Sequence, residues 1–479
     1  MKISFVTFGC RLNQAEALDL EAQLSAAGHT IIPVPKGSDP TVSPKGSDPT
    51  VSPKGSDPIA PKGSDPIVPE VIVVRGCSVT DKAYNDCEKM ISKLKSQFPN
   101  TKIVRMGCLP NATTLPQFLS TIEEKIVGSK IVGSDPSEIV GSDPSKIVGS
   151  DPSRSVSMST SRAYLKIQDG CSGKCAFCIV PQFRGPPIST PFNEIMVKAQ
   201  SFLSVGYREL VVTGCNLALY KCDGKGLADI LDALAKIKLQ GSDPIEGSDP
   251  MGHTTLLQGS DPTEQGSQGS DPMGHRIRIG SIEPGLGGTG ILDIMSENKN
   301  ICRFLHISLQ SGSNEILKRM NRPYDIETVT GFVADARLRF GMELCLGADV
   351  ITGFPGESEV DFEATRSFLA KWDFCNVHVF PYSERPGTMG AKMKEVVPIA
   401  VRKKRAKIIS EDARMRKLRF AERFVGREVE VCVERGGDHG WTGEYLPVQL
   451  NGVRPRRSLV RVRIVSAENG ILLPFNRRG

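Results

Sequence analysis

The sequence predicts an α/β protein, two parallel-sheet units followed by a small β-rich domain, on three observations. Candidate strands at 2–8, 71–75, 102–106, 163–168, 209–213, 276–280, 303–309, 344–351 and 376–380 alternate with helical patterns at 14–27, 81–97, 192–205, 226–238, 313–320, 326–340 and 358–371. Strands spaced by helices join as parallel sheets. The first three strands make one unit and the next six a second. Beyond a long basic helix at 396–424, residues 427–474 alternate like strands, as in Val429–Val433 and Leu459–Val465.

The length of 479 residues calls for two or three domains, and 39% apolar with 24% charged residues is a globular balance. No run approaches the eighteen apolar residues of a membrane span. The alternating start, Lys2 to Phe8, reads as a first strand and not as a signal peptide. Thirteen cysteines without an export signal imply a cytoplasmic chain with reduced thiols, some of them metal-bound.

Three low-complexity blocks, at 36–69, 128–153 and 240–274, repeat Gly-Ser-Asp-Pro four, three and four times. Such residues favour turns and bury almost nothing, so the blocks read as inserted surface loops. They carry 0, −2 and −6 charges, so the +6 of the chain leaves +14 on the other 384 residues. A basic remainder favours nucleic acid or another anionic partner.

The strongest chemical signal is Cys171-Ser-Gly-Lys-Cys175-Ala-Phe-Cys178, directly after the strand at 163–168. Three thiolates in eight residues can wrap one face of a cubane cluster and leave one iron without a protein ligand. A structural zinc site takes four ligands in paired spacings, and no nearby fourth ligand is evident. Upstream, Cys10, Cys77 and Cys108 each follow a strand and a glycine. Neighbouring strands of a parallel sheet end together, so the three can meet at one edge. Buried cysteines acting as small hydrophobes are the plainer alternative.

The Cys171–Cys178 loop, with Phe177 before its last cysteine, resembles the radical S-adenosylmethionine (SAM) superfamily. Gly9-Cys10-Arg11-Leu12-Asn13, Gly76-Cys77-Ser78-Val79-Thr80 and Gly107-Cys108-Leu109-Pro110-Asn111 resemble the N-terminal domain of its methylthiotransferase family, departing at Arg75-Gly76, where an Asn-Thr pair is common. The resemblance continues through Val212–Asn216, Ser281–Pro284, His306–Gly312, Lys318–Tyr324, Asp349–Glu357 and Phe380–Ser383. It implies a partial (β/α)6 radical SAM barrel, two [4Fe-4S] clusters and SAM. Cys171, Cys175 and Cys178 would hold the catalytic cluster, and Cys10, Cys77 and Cys108 an auxiliary one. Cys87 ranks below Cys77 as a ligand, and Cys215 reads as packing.

Position within the barrel adds Gly214, Asn216, Ser281, Glu283 and Gln310, all at strand ends, as candidate SAM contacts beside Phe177. Polar capping of strand ends is their plainer role. His306 reads as a satisfied core histidine, and Asp349 as a residue that orders Arg184 or a loop.

Residues 402–427 hold eleven Lys or Arg against three acids, and 454–463 five arginines and no acid. With Trp441 and Tyr445 these suit stacking on bases and gripping phosphates. Trp441-Thr442-Gly443-Glu444-Tyr445 resembles a TRAM domain, an RNA-binding β-barrel. The expected domains are 1–153, 154–395, the linker helix 396–424, and 425–479.

The resemblance therefore implies methylthiolation of an adenine unstacked from the anticodon stem-loop of tRNA, with an electron donor and a sulfur source as further partners and no membrane. Gly9-Cys10-Arg11-Leu12-Asn13-Gln14 resembles the branch acting on C2 of N6-threonylcarbamoyladenosine, whose carboxylate suits a cationic wall such as Arg11 or Arg75. The alternatives are the isopentenyladenosine branch, the branch modifying a ribosomal protein, and a non-catalytic RNA-binding iron–sulfur protein.

Overall fold

The first sheet is parallel throughout, with β1 (Lys2–Thr7), β2 (Thr30–Ile31), β3 (Val71–Cys77) and β4 (Lys102–Cys108) in the order β2-β1-β3-β4. This computed structural model describes residues 1–8, 10–34, 68–77, 80–109, 111–113, 117–119, 160–239, 274–285 and 288–474. Apart from their edges, the Gly-Ser-Asp-Pro blocks expected as surface loops lie outside the described residues. β3 is apolar on both faces because helices cover both. Val71 and Val73 pack with Leu20 and Leu24 of the helix Arg11–Ala26, whereas Ile72 and Val74 pack with Ile91 and Leu94 of Asp81–Gln97. The far face of Arg11–Ala26 sends Ala15 and Leu18 into the central core, so this helix joins the two parallel units.

The second unit contains β5 (Ala163–Asp169), β6 (Ile188–Ser189), β7 (Glu209–Gly214), β8 (Arg276–Ile279), β9 (Ser281–Ile282), β10 (Phe304–Gln310), β11 (Cys345–Thr352) and β12 (Phe374–Pro381). They form two sheets, β6-β5-β7-β8 and β12-β11-β10-β9. β8 and β9 are separated by Gly280 alone and act as one bent strand that makes the sheets continuous. Every pairing is parallel except that of the short edge strand β6. The result is a six-stranded open barrel. The helix Gly288–Glu297 lies outside the expected pattern. Gly288 and Gly290 at its start are poor helix formers and mask its periodicity.

The helix Ile399–Glu422 packs on β11 and β12. It leads into a closed five-stranded barrel of β13 (Glu428–Val433), β14 (His439–Thr442), β15 (Pro447–Gln449), β16 (Leu459–Glu468) and β17 (Ile471–Pro474), in the order β13-β14-β15-β17-β16. This small barrel seals the N-terminal end of the large one, where Phe304, Cys345 and Cys375 pack with Val431, Leu446 and Val448. The helix is less free than its charge suggests, because Arg402, Arg405 and Arg416 are buried. They donate to the Val397 and Tyr382 carbonyls, to Glu357 and Glu359, and to the Phe374 carbonyl respectively. Lys403, Lys404, Lys407, Arg414 and Arg419 remain exposed. Among the described residues no helix is long and apolar enough to cross a membrane.

Candidate active site

β3 and β4 run in register with Cys77 opposite Cys108, so these cysteines end neighbouring strands side by side. Cys10 caps the helix that follows β1, the other neighbour of β3. The three therefore reach one sheet edge. Gly107, before Cys108, has φ +87°, and a methyl group there would lie 2.7 Å from the Gly76 carbonyl oxygen. Glycine is what lets the two strand ends close. Asn13 fastens the same edge, donating to the Phe8 and Gly76 carbonyls at 2.9 Å each. Burial pushes the Cys108 thiol up, while Arg184 opposes that shift and Cys10 adds to it. Cys87 packs among Val6, Ile72, Val74 and Ile91 and is a core residue.

Cys171, Cys175 and Cys178 lie half-buried on the loop after β5. A methyl group on Gly173 would sit 3.2 Å from Cys171 Sγ and 3.7 Å from Cys175 Sγ, so the two sulfurs converge over a cradle that a side chain would fill. Burial raises the Cys175 thiol and raises Cys178 to about 11. Arg322 opposes the shift at Cys175, donating to its Sγ at 2.9 Å. Thiols held this way are stabilised as thiolates by a soft metal, and three of them on one short loop fit an iron–sulfur cluster with an open corner.

Arg322 also connects this loop to the candidate SAM contacts. It donates to Glu283 at 2.7 Å, and Asn216 Nδ2 donates to the same carboxylate at 2.5 Å. The Asn216 backbone N–H donates to Gln168 Oε1 at 2.8 Å, and that side chain also closes over Gly214. Gln310 is buried at φ +66°, a left-handed conformation that a non-glycine residue holds against strain. Phe177 packs beside Ala176, Ile316 and Phe354. Ser281 stands exposed at the start of β9 and is not drawn into this network. Glu283, Asn216 and the loop are thus one hydrogen-bonded unit. Arg322 lies in the Lys318–Tyr324 motif, which signals its presence in the sequence but not its partners Cys175 and Glu283.

Arg184 ties the two triads together. Its Nε donates to Cys108 Sγ at 3.0 Å, and its Nη1 donates to Glu16 at 2.7 Å and to Asp169 at 3.1 Å. Asp169 lies two residues before Cys171. Although burial alone would raise the Asp169 carboxyl, Lys166 and Arg184 bring it down to about 2. Cys215 donates to that carboxylate at 3.3 Å, so it borders the network instead of packing in an apolar core.

Three expectations are corrected. Asp349 does not order Arg184; it faces His306 at 3.0 Å and His378 at 3.2 Å, because strand register sets its neighbours. Arg75 is buried and paired with Glu16, so it is structural and not a pocket wall. Tyr445 does not present free faces for bases, and one face of the half-exposed Trp441 is covered by it. Tyr445 stacks on Phe304 at 4.9 Å and on Trp441 at 4.7 Å, with Arg278 4.9 Å from its ring centre. Burial would raise its phenol, but Arg162, Arg11 and Arg278 bring it down to about 7.

Residues 165–369 match the model of the radical SAM superfamily. A threonylcarbamoyladenosine tRNA methylthiotransferase of Thermotoga maritima is 28% identical, covering 97% of this chain and 95% of its own length. One of Bacillus subtilis is 29% identical over 83% of this chain and 86% of its own. A tRNA-2-methylthio-N(6)-dimethylallyladenosine synthase of Cereibacter sphaeroides is 27% identical over 98% and 94%. With a thiol triad on the first barrel loop and a second one fastened to it through Arg184, the chain is similar over nearly its whole length to tRNA methylthiotransferases, and its barrel to the radical SAM superfamily.

Proposed function

We propose that this protein is a tRNA methylthiotransferase that adds a methylthio group to C2 of N6-threonylcarbamoyladenosine beside the anticodon. One observation carries the reading: the Arg184 guanidinium binds Cys108 of one triad and Asp169 at the base of the other. Methylthiolation needs a radical source and a sulfur donor addressed to one carbon, and this clamp holds both thiol sets to one neighbourhood. When bound, SAM and the two clusters supply the one-electron cleavage, the sulfur and the methyl group, chemistry beyond any side chain here.

The chain's own work is placement. Cys171, Cys175 and Cys178 hold the cluster that meets SAM, and Cys10, Cys77 and Cys108 hold the auxiliary one. Glu283 and Asn216 offer polar atoms to SAM from an orientation fixed by Arg322, with Gly214 and Gln310 beside them. Ser281 contributes from the exposed edge and Phe177 packs behind the loop. The domains divide at 153, 395 and 424, the working place is the cytoplasm, and an electron donor and a sulfur source serve the clusters. Arg11 is the remaining candidate for the carboxylate of the threonylcarbamoyl group.

The substrate test offers tRNA bearing either modification, and ribosomal protein, to the reconstituted enzyme. Nucleoside mass spectrometry should find methylthio only on the threonylcarbamoyl form. Product on isopentenyladenosine moves the enzyme to that branch, and product on protein removes tRNA as the substrate.

The exposed stripe Lys403, Lys404 and Lys407 supports an RNA-facing role for the linker helix. Changing all three to Glu should weaken tRNA binding and reduce the salt slope by roughly 0.7–0.9 per lost phosphate contact. SAM cleavage without tRNA should not change. Equal affinity at every salt concentration would make the stripe a solvated face. This is a cleaner probe than deleting 425–479, which would uncover Phe304 and the buried Arg276 and Arg278 beneath the small barrel.

A further inference from the structure

His306, Asp349 and His378 sit in mid-strand on β10, β11 and β12, three adjacent parallel strands. Asp349 is directly opposite His378, and His306 is opposite Gly347, two residues before Asp349 on the same face. Each offers one ligand atom, and the three atoms lie within 4.8 Å of one another. His306 Nε2 is 3.0 Å and His378 Nδ1 3.2 Å from the same oxygen, Asp349 Oδ1. No cysteine belongs to this group, and none of its members has a place in the two cluster sites.

Two histidines donating to one carboxylate would account for those distances, but the His306 ring does not fit that account. The residue is 2% exposed, yet neither of its ring nitrogens makes an aligned hydrogen bond. Its Nε2 lies close to Asp349 without aiming an N–H at it. A buried imidazole left in this way has lost its water without a hydrogen bond to offset the loss, so its nitrogen calls for a partner that needs no N–H. Room for the ring is built in, since a methyl group on Gly347 would come within 2.6 Å of His306 Nδ1.

We propose that His306, Asp349 and His378 form a divalent transition-metal site, of the zinc class, inside the barrel and separate from both clusters. Neutral imidazoles and one carboxylate are the donor set of two-histidine, one-carboxylate sites. Ligand atoms about 2.0–2.2 Å from such an ion stand roughly 3–3.5 Å apart, which is the spacing from Asp349 to each histidine. His378 is 35% exposed at its side chain and Asp349 23%, leaving a side open to water or another ligand. The cation Arg11 lies near enough to disfavour charge on His306, and Tyr445 lies near His378. Arg11 opposes the ion, so one carboxylate and neutral imidazoles must outweigh it.

The probe is zinc alone, added at one equivalent to the full-length protein with both clusters loaded anaerobically, followed by desalting. Elemental analysis should retain about one zinc per chain at undiminished iron. Zinc-edge X-ray absorption should show a nitrogen and oxygen shell at about 2.0–2.1 Å without sulfur. Asp349→Asn and His378→Gln should each lower zinc retention at least tenfold while iron content and circular dichroism stay unchanged. Loss of zinc on desalting the native protein, a sulfur shell, or equal retention in folded variants overturns the site. If a variant fails to fold, the absorption spectrum of the native protein still decides. Because the readout is zinc, a wrong assignment of the tRNA substrate would leave this result untouched.

Discussion

Changing Cys171, Cys175 and Cys178 together to Ala is expected to leave about four of about eight irons and to abolish 5′-deoxyadenosine formation from SAM. The two halves of that expectation have different physical grounds. Loss of turnover follows because the open cluster corner exists only where these thiolates converge, over Gly173 and against Arg322. Retention of the other irons follows because Cys77 and Cys108 are placed by β3 and β4, whose core of Val71 to Val74 lies between its own two helices. Iron and sulfide analysis with chromatography of the nucleoside checks both. Deoxyadenosine above background would remove this loop from the chemistry. Loss of all iron would mean that the Asp169–Arg184–Cys108 link makes the second site depend on the first.

What could be read in advance depended on how local each signal is. Cys171, Cys175 and Cys178 are a signal within eight residues, and Cys10, Cys77 and Cys108 each follow a strand whose pattern is plain. The helix Asp81–Gln97 was equally legible, and Thr80 starts it by accepting from the Ala83 N–H. Pairings across distance were not legible. Asp349 faces His378 because β11 and β12 align in one particular register, and no spacing along the chain encodes that register. Tyr445 has the residue type of a base-stacking group, but a φ of +64° and the Phe304 face turn it onto the large barrel. Arg402 reads as one more charge in a basic helix until the carbonyls of Val397 and Tyr382 are found beside it. In each case residue type suggested chemistry, and tertiary contact decided whether that chemistry was already spent.

Glu209→Gln is expected to cost about 3–5 kcal/mol of stability, the loss usual when one partner of a buried charge network is removed. Glu209 starts β7 and is fully buried, with Arg276 Nε and Arg278 Nε each donating to it at 2.7 Å. The remaining donors of both arginines reach across to the small barrel, to the carbonyls of Glu430, Trp441, Thr442 and Gly443 at 2.7–3.0 Å. One carboxylate thus stands between the two cations that fasten the domains together, with Glu430 Oε1 a further 3.7 Å from Arg276. Burial alone would raise its pKa, but Arg278 and Arg276 hold it well below the usual carboxylate range. A carboxyl depressed in the folded state adds stability above its unfolded pKa of about 4.5, and that stability is lost as pH falls below it. The native protein should therefore weaken steeply in acid. Glu209→Gln, with nothing to titrate there, should be weaker at pH 7 and flatter below pH 5. Urea midpoints measured from pH 7 to pH 3 test both, and limited proteolysis should show the small barrel released first. An unchanged midpoint at pH 7 would mean that Glu430 and the carbonyls of residues 441–443 hold both guanidinium groups without Glu209, which the cost of buried charge argues against.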